Sequence, residues 1–529
     1  MQRTPRVVWL RPVSAAVVAV IALVFPIGKV TPPLAARASA STQAPADLRL
    51  TAGRAQAFVD ARDRHLNYLP GEVLVKFKPG VSLDGEQRAL MALRSRPDAG
   101  GLQWEGDVAV LRDGSQTDAT VLAAQLSSQP EVEYAEPNYI APIPRSETIY
   151  QAEATPAGAR PAGTPNDTDY AARQWNFADL NVPKAWDIQP GGKPDLIVAV
   201  IDTGISVTKT TMTFQVSTGT SIISASVPFD VSPDLNAAKF VKPFDFAFFG
   251  SGSPVLDMDS HGTHVASTIA ESTNNALALA GLAYNVQIMP VKVCVSYWEV
   301  EFTRAANGIL TLPAIDAGGC AFSAIASGIR YAADNGAKVI NISLGGSGTS
   351  QTLQDAVNYA VQHGAFIAVS AGNSHDEGNG IEYPAGYAPN IDGLMSVAAT
   401  GRSRTRAYYS TTGSQVEIAA PGGNSRDGGS AGVIWQETLN QFDLSPLLVS
   451  PRFDRYAEAG FQGTSMGSPH VAALAALLIS QIGSAATPAV LEQMIRTTAL
   501  DLGAAGRDDE FGYGLIQPRT ALFGRGIRK

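Results

Sequence analysis

The 529-residue chain, 45% hydrophobic and 16% charged, is long enough for two or three domains with a large buried core and too apolar to stay disordered. Its 39 Lys plus Arg against 48 Asp plus Glu leave a formal charge of −9, and no basic stripe with interleaved aromatics occurs. A nucleic-acid partner is therefore disfavoured.

Residues 1–40 read as a signal peptide. Arg3, Arg6 and Arg11 precede or flank an apolar stretch over 13–25, and Ala36 to Ala40 offers an A-x-A cleavage site after Ala38 or Ala40. A secreted protein follows, with periplasmic retention or an uncleaved membrane anchor as alternatives. No later segment is expected to have the apolar run that spans a bilayer. In an exported chain Cys294 and Cys320, its 2 cysteines, are expected to form one disulfide. The Ala-rich, polar stretch 41–64 predicts no ordered element.

A small α+β unit is expected over 66–141. Alternation predicts strands at 72–77, 107–111 and 132–135, with helices at 84–94 and 119–126 between them. This order suits a ferredoxin-like antiparallel sheet with helices on one face. Segment 142–165, dense in Pro, Ala and Gly, reads as a linker. The remaining domain, 166–525, carries apolar runs at 196–201, 287–293, 337–342, 365–369 and 394–398, alternating with helical patterns such as 322–335 and 351–362. That predicts an α/β, three-layer architecture around a mostly parallel sheet, with ligands at the carboxyl ends of its strands. Segments 206–229, 296–319 and 425–459 read as loop insertions.

The chemistry concentrates in four places. Ser465 lies between Gly463 and Gly467, ahead of an apolar helical run over 471–479, so its hydroxyl is uncrowded and its N–H stands at a positive helix end. Asp202 ends the strand 198–201, His261 opens a helical pattern, and Asn373 follows the strand 365–369. His261 and His264 lack the Glu of a helical zinc motif, which disfavours metal ligation. Gly463-x-Ser465-x-Gly467 also fits an esterase elbow, but that fold orders its triad Ser, acid, His. Here Asp202 and His261 precede Ser465, and 457–462 is expected to lack the strand an elbow requires.

Val200-Ile201-Asp202-Thr203-Gly204, His261-Gly262-Thr263-His264, Ser370-Ala371-Gly372-Asn373 and Gly463-Thr464-Ser465-Met466 together resemble the signature blocks of the subtilisin-like serine peptidases, in the right order. Pro70 to Val75 and Val132 to Pro137 resemble that family's inhibitory propeptide, and Gly512 to Ile516 its closing element. The resemblance implies a secreted endopeptidase, made as an autoprocessed proenzyme, with Asp202, His261 and Ser465 as triad and Asn373 as oxyanion donor. His264 would then be a packed core residue. Ser343, Leu344, Gly345 and Gly346, with Ser370, Ala371 and Gly372, would bind extended substrate and wall the primary specificity pocket. Glu382 stands either near the base of that pocket, where it would favour basic side chains, or in solvent.

No cofactor is required for such chemistry. A structural calcium ion is implied at Asp167, Asp234 and Asn275, although the long segment before Asp234 departs from compact relatives. Expected partners are protein or peptide substrates and the chain's own propeptide, on a monomer. The alternatives are a transpeptidase or cyclase on the same fold, or an inactive binding homologue.

Overall fold

The computed structural model describes residues 6–8, 50–91, 103–113, 118–144, 149–152, 164–217, 222–236, 239–248, 254–308, 316–444 and 451–524. Of the expected signal peptide only Arg6–Val8 falls among them, as a short strand antiparallel to Ile149–Ala152. Its apolar stretch and cleavage site lie outside the described residues, as do 145–148 and 153–163 of the linker.

Order begins earlier than expected. Helix α1 (Ala52–Asp63) lies in the stretch read as unstructured, with Thr51 accepting the Arg54 N–H as its N-cap. Its turns are mostly Ala and polar residues, so the sequence shows little amphipathic contrast; burial of Ala55, Phe58 and Val59 by neighbouring elements holds it in place. Then come β1 (Tyr68–Phe77), α2 (Leu83–Met91), β2 (Gln103–Glu105), β3 (Val108–Arg112), α3 (Ala119–Ser127) and β4 (Val132–Ala141). The strands form an antiparallel sheet in the order β2-β3-β1-β4. Val73, Val75 and Leu111 pack one face against Ala89, Leu122 and Leu126 of the helices.

The large domain is built on β5 (Ile197–Asp202), α4 (His261–Ala270), β6 (Gln287–Lys292), β7 (Gly319–Ala321), α5 (Phe322–Asp334), β8 (Val339–Ile342), α6 (Gln351–Gln362), β9 (Phe366–Ser370), β10 (Leu394–Thr400), β11 (Ile418–Pro421) and α7 (Thr464–Ile482). All of its main-sheet pairings are parallel, in the order Phe244–Asp245, β6, β5, β8, β9, β10, β11. Period 2 separates the faces: Ala199 and Ile201 join the core under α5 and α6, while Val198 and Val200 join that under α4 and α7. Three layers result, as expected. Ile201 lies level with Ile342 and Val291, so Asp202, Lys292 and Ser343 emerge together at the carboxyl edge.

Helix α7 is the axis of one layer. Val471, Leu474, Leu477 and Leu478 are fully buried, and truncating any of the three leucines to Ala would cost about 2–5 kcal/mol. By length and hydropathy this helix could cross a bilayer, contrary to the expectation that no later segment could. Its burial between sheet and α4 makes it a core helix.

The three segments read as loops contain ordered elements. Val207–Ser217 and Ile222–Val231 pair as an antiparallel hairpin, Tyr297–Ala306 is a helix with a Ser296/Glu299 capping box, and Ile434–Leu439 pairs antiparallel with Tyr456–Phe461. The last strand corrects the expectation that none precedes Ser465. Its small residues Ala457, Ala459 and Gly460 blur the alternation, and cross-strand pairing decides the structure. It belongs to a separate antiparallel sheet, not to the parallel one.

The N-terminal unit joins the large domain through β4. Ile140 and Ala141 pair antiparallel with Ala321 and Cys320 of β7, and Cys320 lies opposite Cys294, to which it is disulfide-bonded. Glu136 accepts hydrogen bonds from Ser350 Oγ (2.6 Å), the Gln351 N–H (2.8 Å) and the Thr352 N–H (3.1 Å), capping α6 from the other domain.

Candidate active site

Three segments converge at the carboxyl edge. Asp202 is the last residue of β5 and His261 the first of α4; Oδ1 of the former and Nδ1 of the latter are 2.7 Å apart, both buried. The same carboxylate oxygen accepts the Thr203 N–H at 2.8 Å, so its position is fixed twice. The two elements approach closely because residue 262 is glycine: a side chain there would run into the Gly204 carbonyl and reach Asp202 Oδ1 at 3.1 Å. Burial disfavours a charged His261, but the charge and hydrogen bond of Asp202, with Asp259 and Asp257 beyond, outweigh it and raise the imidazole pKa.

Asp257 was not foreseen as part of the site. Its Oδ1 accepts from the N–H groups of Asp259 (3.0 Å) and Ser260 (2.9 Å) and from Thr203 Oγ1 (3.1 Å); Oδ2 accepts from Thr263 N–H (3.1 Å) and Oγ1 (2.6 Å). It thus supplies the cap that Ser260, left-handed at φ 106°, does not. Behind it, Lys292 Nζ donates to the Thr203 carbonyl and pairs with Glu299 Oε1 at 3.1 Å, both side chains wholly buried. An acid four residues before a helix-opening His was the available sequence signal for Asp257. Nothing local marked the Lys292–Glu299 pair.

Ser465 occupies the second position of α7, after the N-cap Gly463, so its N–H is free of the helix ladder. Its Oγ donates to the Ser343 carbonyl at 2.9 Å, and Ser343 Oγ donates to the Ser465 carbonyl at 2.9 Å. Among the described residues His261 Nε2 has no partner. To donate to any other acceptor, the Ser465 hydroxyl must turn away from Ser343. Asn373 is oriented by Thr464, whose N–H and Oγ1 both donate to its Oδ1 at 2.9 Å. The amide nitrogen is left as a donor near the Ser465 N–H: a Cβ built on Gly463 would lie 3.4 Å from the one and 3.6 Å from the other.

A cleft of about 420 Å³ is lined by Ser465, Asn373, Leu344, Gly345, Ser370, Gly372 and Glu382, and also by Pro142, Ile143 and Pro144 just past β4. Ser343, Gly346 and Ala371, expected with them, are not among its lining residues. Ala371 packs in a small core cluster, and the Gly346 N–H and carbonyl are both bonded to Tyr383 (3.1 and 2.8 Å). His264 is buried, stacked on Phe461 at 4.4 Å, with a pKa lowered to about 3 by burial.

Asp167, Asp234 and Asn275 do come together. Asp167 accepts the N–H groups of Asn274 (3.0 Å) and Asn275 (3.1 Å), and Asn275 Nδ2 donates to Asp234 Oδ1 at 2.5 Å. Asp234 Oδ2 is buried without a partner among the described residues. Burial lifts the Asp234 pKa to about 7; the Asn275 hydrogen bond opposes the rise, and Glu437 and Asp167 add to it.

Comparison with known proteins identifies the family. Residues 193–514 match the subtilase family and 54–138 match the fervidolysin N-terminal prodomain. The thermophilic serine proteinase of Bacillus sp. (strain AK1) is 31% identical over 456 residues, spanning 86% of this chain and 88% of that protein. Thermitase of Thermoactinomyces vulgaris is 31% identical over 343 residues, 65% of this chain and 94% of its own. The crystal structure of fervidolysin from Fervidobacterium pennivorans superposes with a TM-score of 0.59 at 23% identity, covering 87% of this chain and 62% of that one, a likeness of fold. The chain belongs to the subtilase family and is a subtilisin-like serine endopeptidase carrying a fervidolysin-type prodomain.

Proposed function

We propose that the chain is a secreted endopeptidase whose Ser465 attacks the scissile carbonyl while His261 takes its proton, with Asp202 holding the imidazole tautomer and stabilising the imidazolium. The tetrahedral oxyanion is received by Asn373 Nδ2 and the Ser465 N–H. His261 then protonates the leaving amine, and a water deprotonated by the same imidazole hydrolyses the acyl-enzyme. The observation that carries this reading is the joint geometry of the 2.7 Å Asp202–His261 contact and the twofold hold of Thr464 on Asn373.

The prodomain, 66–141 with α1 added at its N-terminal side, acts as intramolecular inhibitor. Its support is that Pro142, Ile143 and Pro144 line the cleft beside Ser465, so the chain's own segment competes with substrate. Maturation is by self-cleavage within 142–165, releasing the catalytic domain 166–525. Signal-peptide removal after Ala38 or Ala40 delivers a monomer acting on protein and peptide substrates. Expression for secretion tests this: wild type matures and digests casein, whereas Ser465→Ala accumulates as unprocessed precursor. A variant that still matures and digests casein removes Ser465 as nucleophile.

Catalysis requires no cofactor. A calcium ion suits the pair Asp167 and Asp234, where the orphaned Asp234 Oδ2 lacks a counter-charge; Asn275 would join by turning its amide oxygen inward. The ion would supply stability to the 274–279 loop and no part of the chemistry. Calcium should raise the melting temperature of wild type at pH 8 and leave Asp234→Asn unmoved; equal shifts in both would place the ion elsewhere.

A further inference from the structure

Glu382 has no counterpart in the catalytic steps, yet its position is defined. A Cβ built on Gly372 (φ 110°) would lie 2.6 Å from Glu382 Oε1, and one built on Gly345 would lie 3.1 Å from Glu382 Oε2. The carboxylate is therefore wedged between the two glycines that face each other across the cleft. Any side chain at either position would displace it or fill the space above it. Glu382 lines the same cleft as Ser465, so a residue bound with its carbonyl at Ser465 directs its side chain toward this floor.

The surroundings bear one sign of charge. The titratable groups lining the cleft are Asp316, Glu377, Glu382 and Tyr409, with no Lys, Arg or His among the described lining residues. No described Lys or Arg forms an ion pair with Glu382. A half-buried carboxylate facing a cavity of this sign is unfavourable until a cation or proton reaches it.

We infer that Glu382 is the specificity-determining residue of the primary pocket and selects substrates with Lys or Arg immediately before the scissile bond. The inference rests on the endopeptidase reading, with Ser465 as nucleophile. A guanidinium is the better fit of the two, since its fork can engage both carboxylate oxygens, whereas an ammonium offers a single point charge. Glu382 is a binding residue and takes no part in proton transfer at Ser465.

The state of the carboxylate agrees. Burial pushes its pKa up to about 7, the Asn373 backbone holding it down somewhat and Glu377 adding to the rise. The preference for a basic side chain should accordingly strengthen as pH rises through about 7, where the floor becomes ionised in the free enzyme.

The test compares kcat/KM for matched peptide anilides ending in Arg, Lys, Leu or Phe, on wild type and on Glu382→Gln and Glu382→Asp, with casein hydrolysis as a check of folding. Expected is an Arg-to-Leu ratio of at least tenfold in wild type, retained in part by Glu382→Asp and lowered at least tenfold by Glu382→Gln. A wild type that digests casein yet shows no excess of Arg or Lys over Leu overturns the inference and leaves the endopeptidase reading standing. An Arg preference that survives Glu382→Gln assigns the selection to another residue and also overturns it. Absence of casein digestion by mature wild type sinks the reading beneath it instead.

Discussion

The two ends of α4 both gather buried acids and treat them in opposite ways. At the N-terminal end Asp202 and Asp257 meet the positive pole of the helix, several N–H and hydroxyl donors, and the His261 ring. At the C-terminal end Glu271 caps the helix beside Asp234, Glu437 and Glu458, where the dipole and the neighbouring carboxylates all disfavour negative charge. Burial, with those neighbours, raises Glu271 well above the carboxylate range and lifts Glu458 to about 9 despite Arg173. One end is preorganised around a fixed charge. The other stores an unfavourable one that a proton or a cation relieves.

Substitutions at the catalytic end should have the largest effects. His261→Ala removes the base and should lower kcat by about 10⁶-fold, measured on a soluble peptide with matured enzyme. Asn373→Ala should cost about 10²–10³-fold in kcat with little change in KM, because the lost Nδ2 donor serves only the developing oxyanion. Asp257→Ala removes at once the acceptor shared by Asp259, Ser260, Thr203 and Thr263; a loss of about 3 kcal/mol or more is expected by denaturant unfolding of an inactive background. Were it neutral in both stability and activity, the contrast between the two ends would lose its basis.

The C-terminal end should respond to pH. Glu458 holds its proton to about pH 9 when folded, against an ordinary 4.5, so between those values the folded chain retains a proton that the unfolded chain has released. The contribution of Glu458 to stability is therefore complete below about pH 4.5 and is lost as pH rises toward 9. Glu458→Gln should flatten the decline of melting temperature between pH 6 and 9, since Arg173 keeps Asp169 at 3.5 Å. A slope unchanged by the substitution would mean that other groups set it.

Much of this was legible in the sequence because it depends on local pattern. The apolar runs that became β5, β6, β8, β9 and β10 needed only burial on both faces, and α6 began at Gln351 and ended at Gln362 as its periodicity indicates. The residues of the proposed triad and Asn373 stand at or just past the ends of such elements, where their blocks are contiguous. What escaped depends on partners far along the chain. Helix α1 has little apolar contrast of its own, Tyr456–Phe461 is a strand because Ile434–Leu439 lies beside it, and Lys292 matters through Glu299 and the Thr203 carbonyl. Glu382 stood open between solvent and pocket because only tertiary packing brings Gly345 and Gly372 against it.

The central claim is that Ser465, activated through His261 and Asp202, is the nucleophile. Labelling the mature enzyme with an alkyl fluorophosphonate and locating the adduct by tandem mass spectrometry tests it most directly. A single phosphonylated residue, Ser465, is expected, with labelling abolished by Ser465→Ala and slowed by at least about two orders of magnitude in His261→Ala. An adduct on another residue, or labelling undiminished in Ser465→Ala, would contradict it.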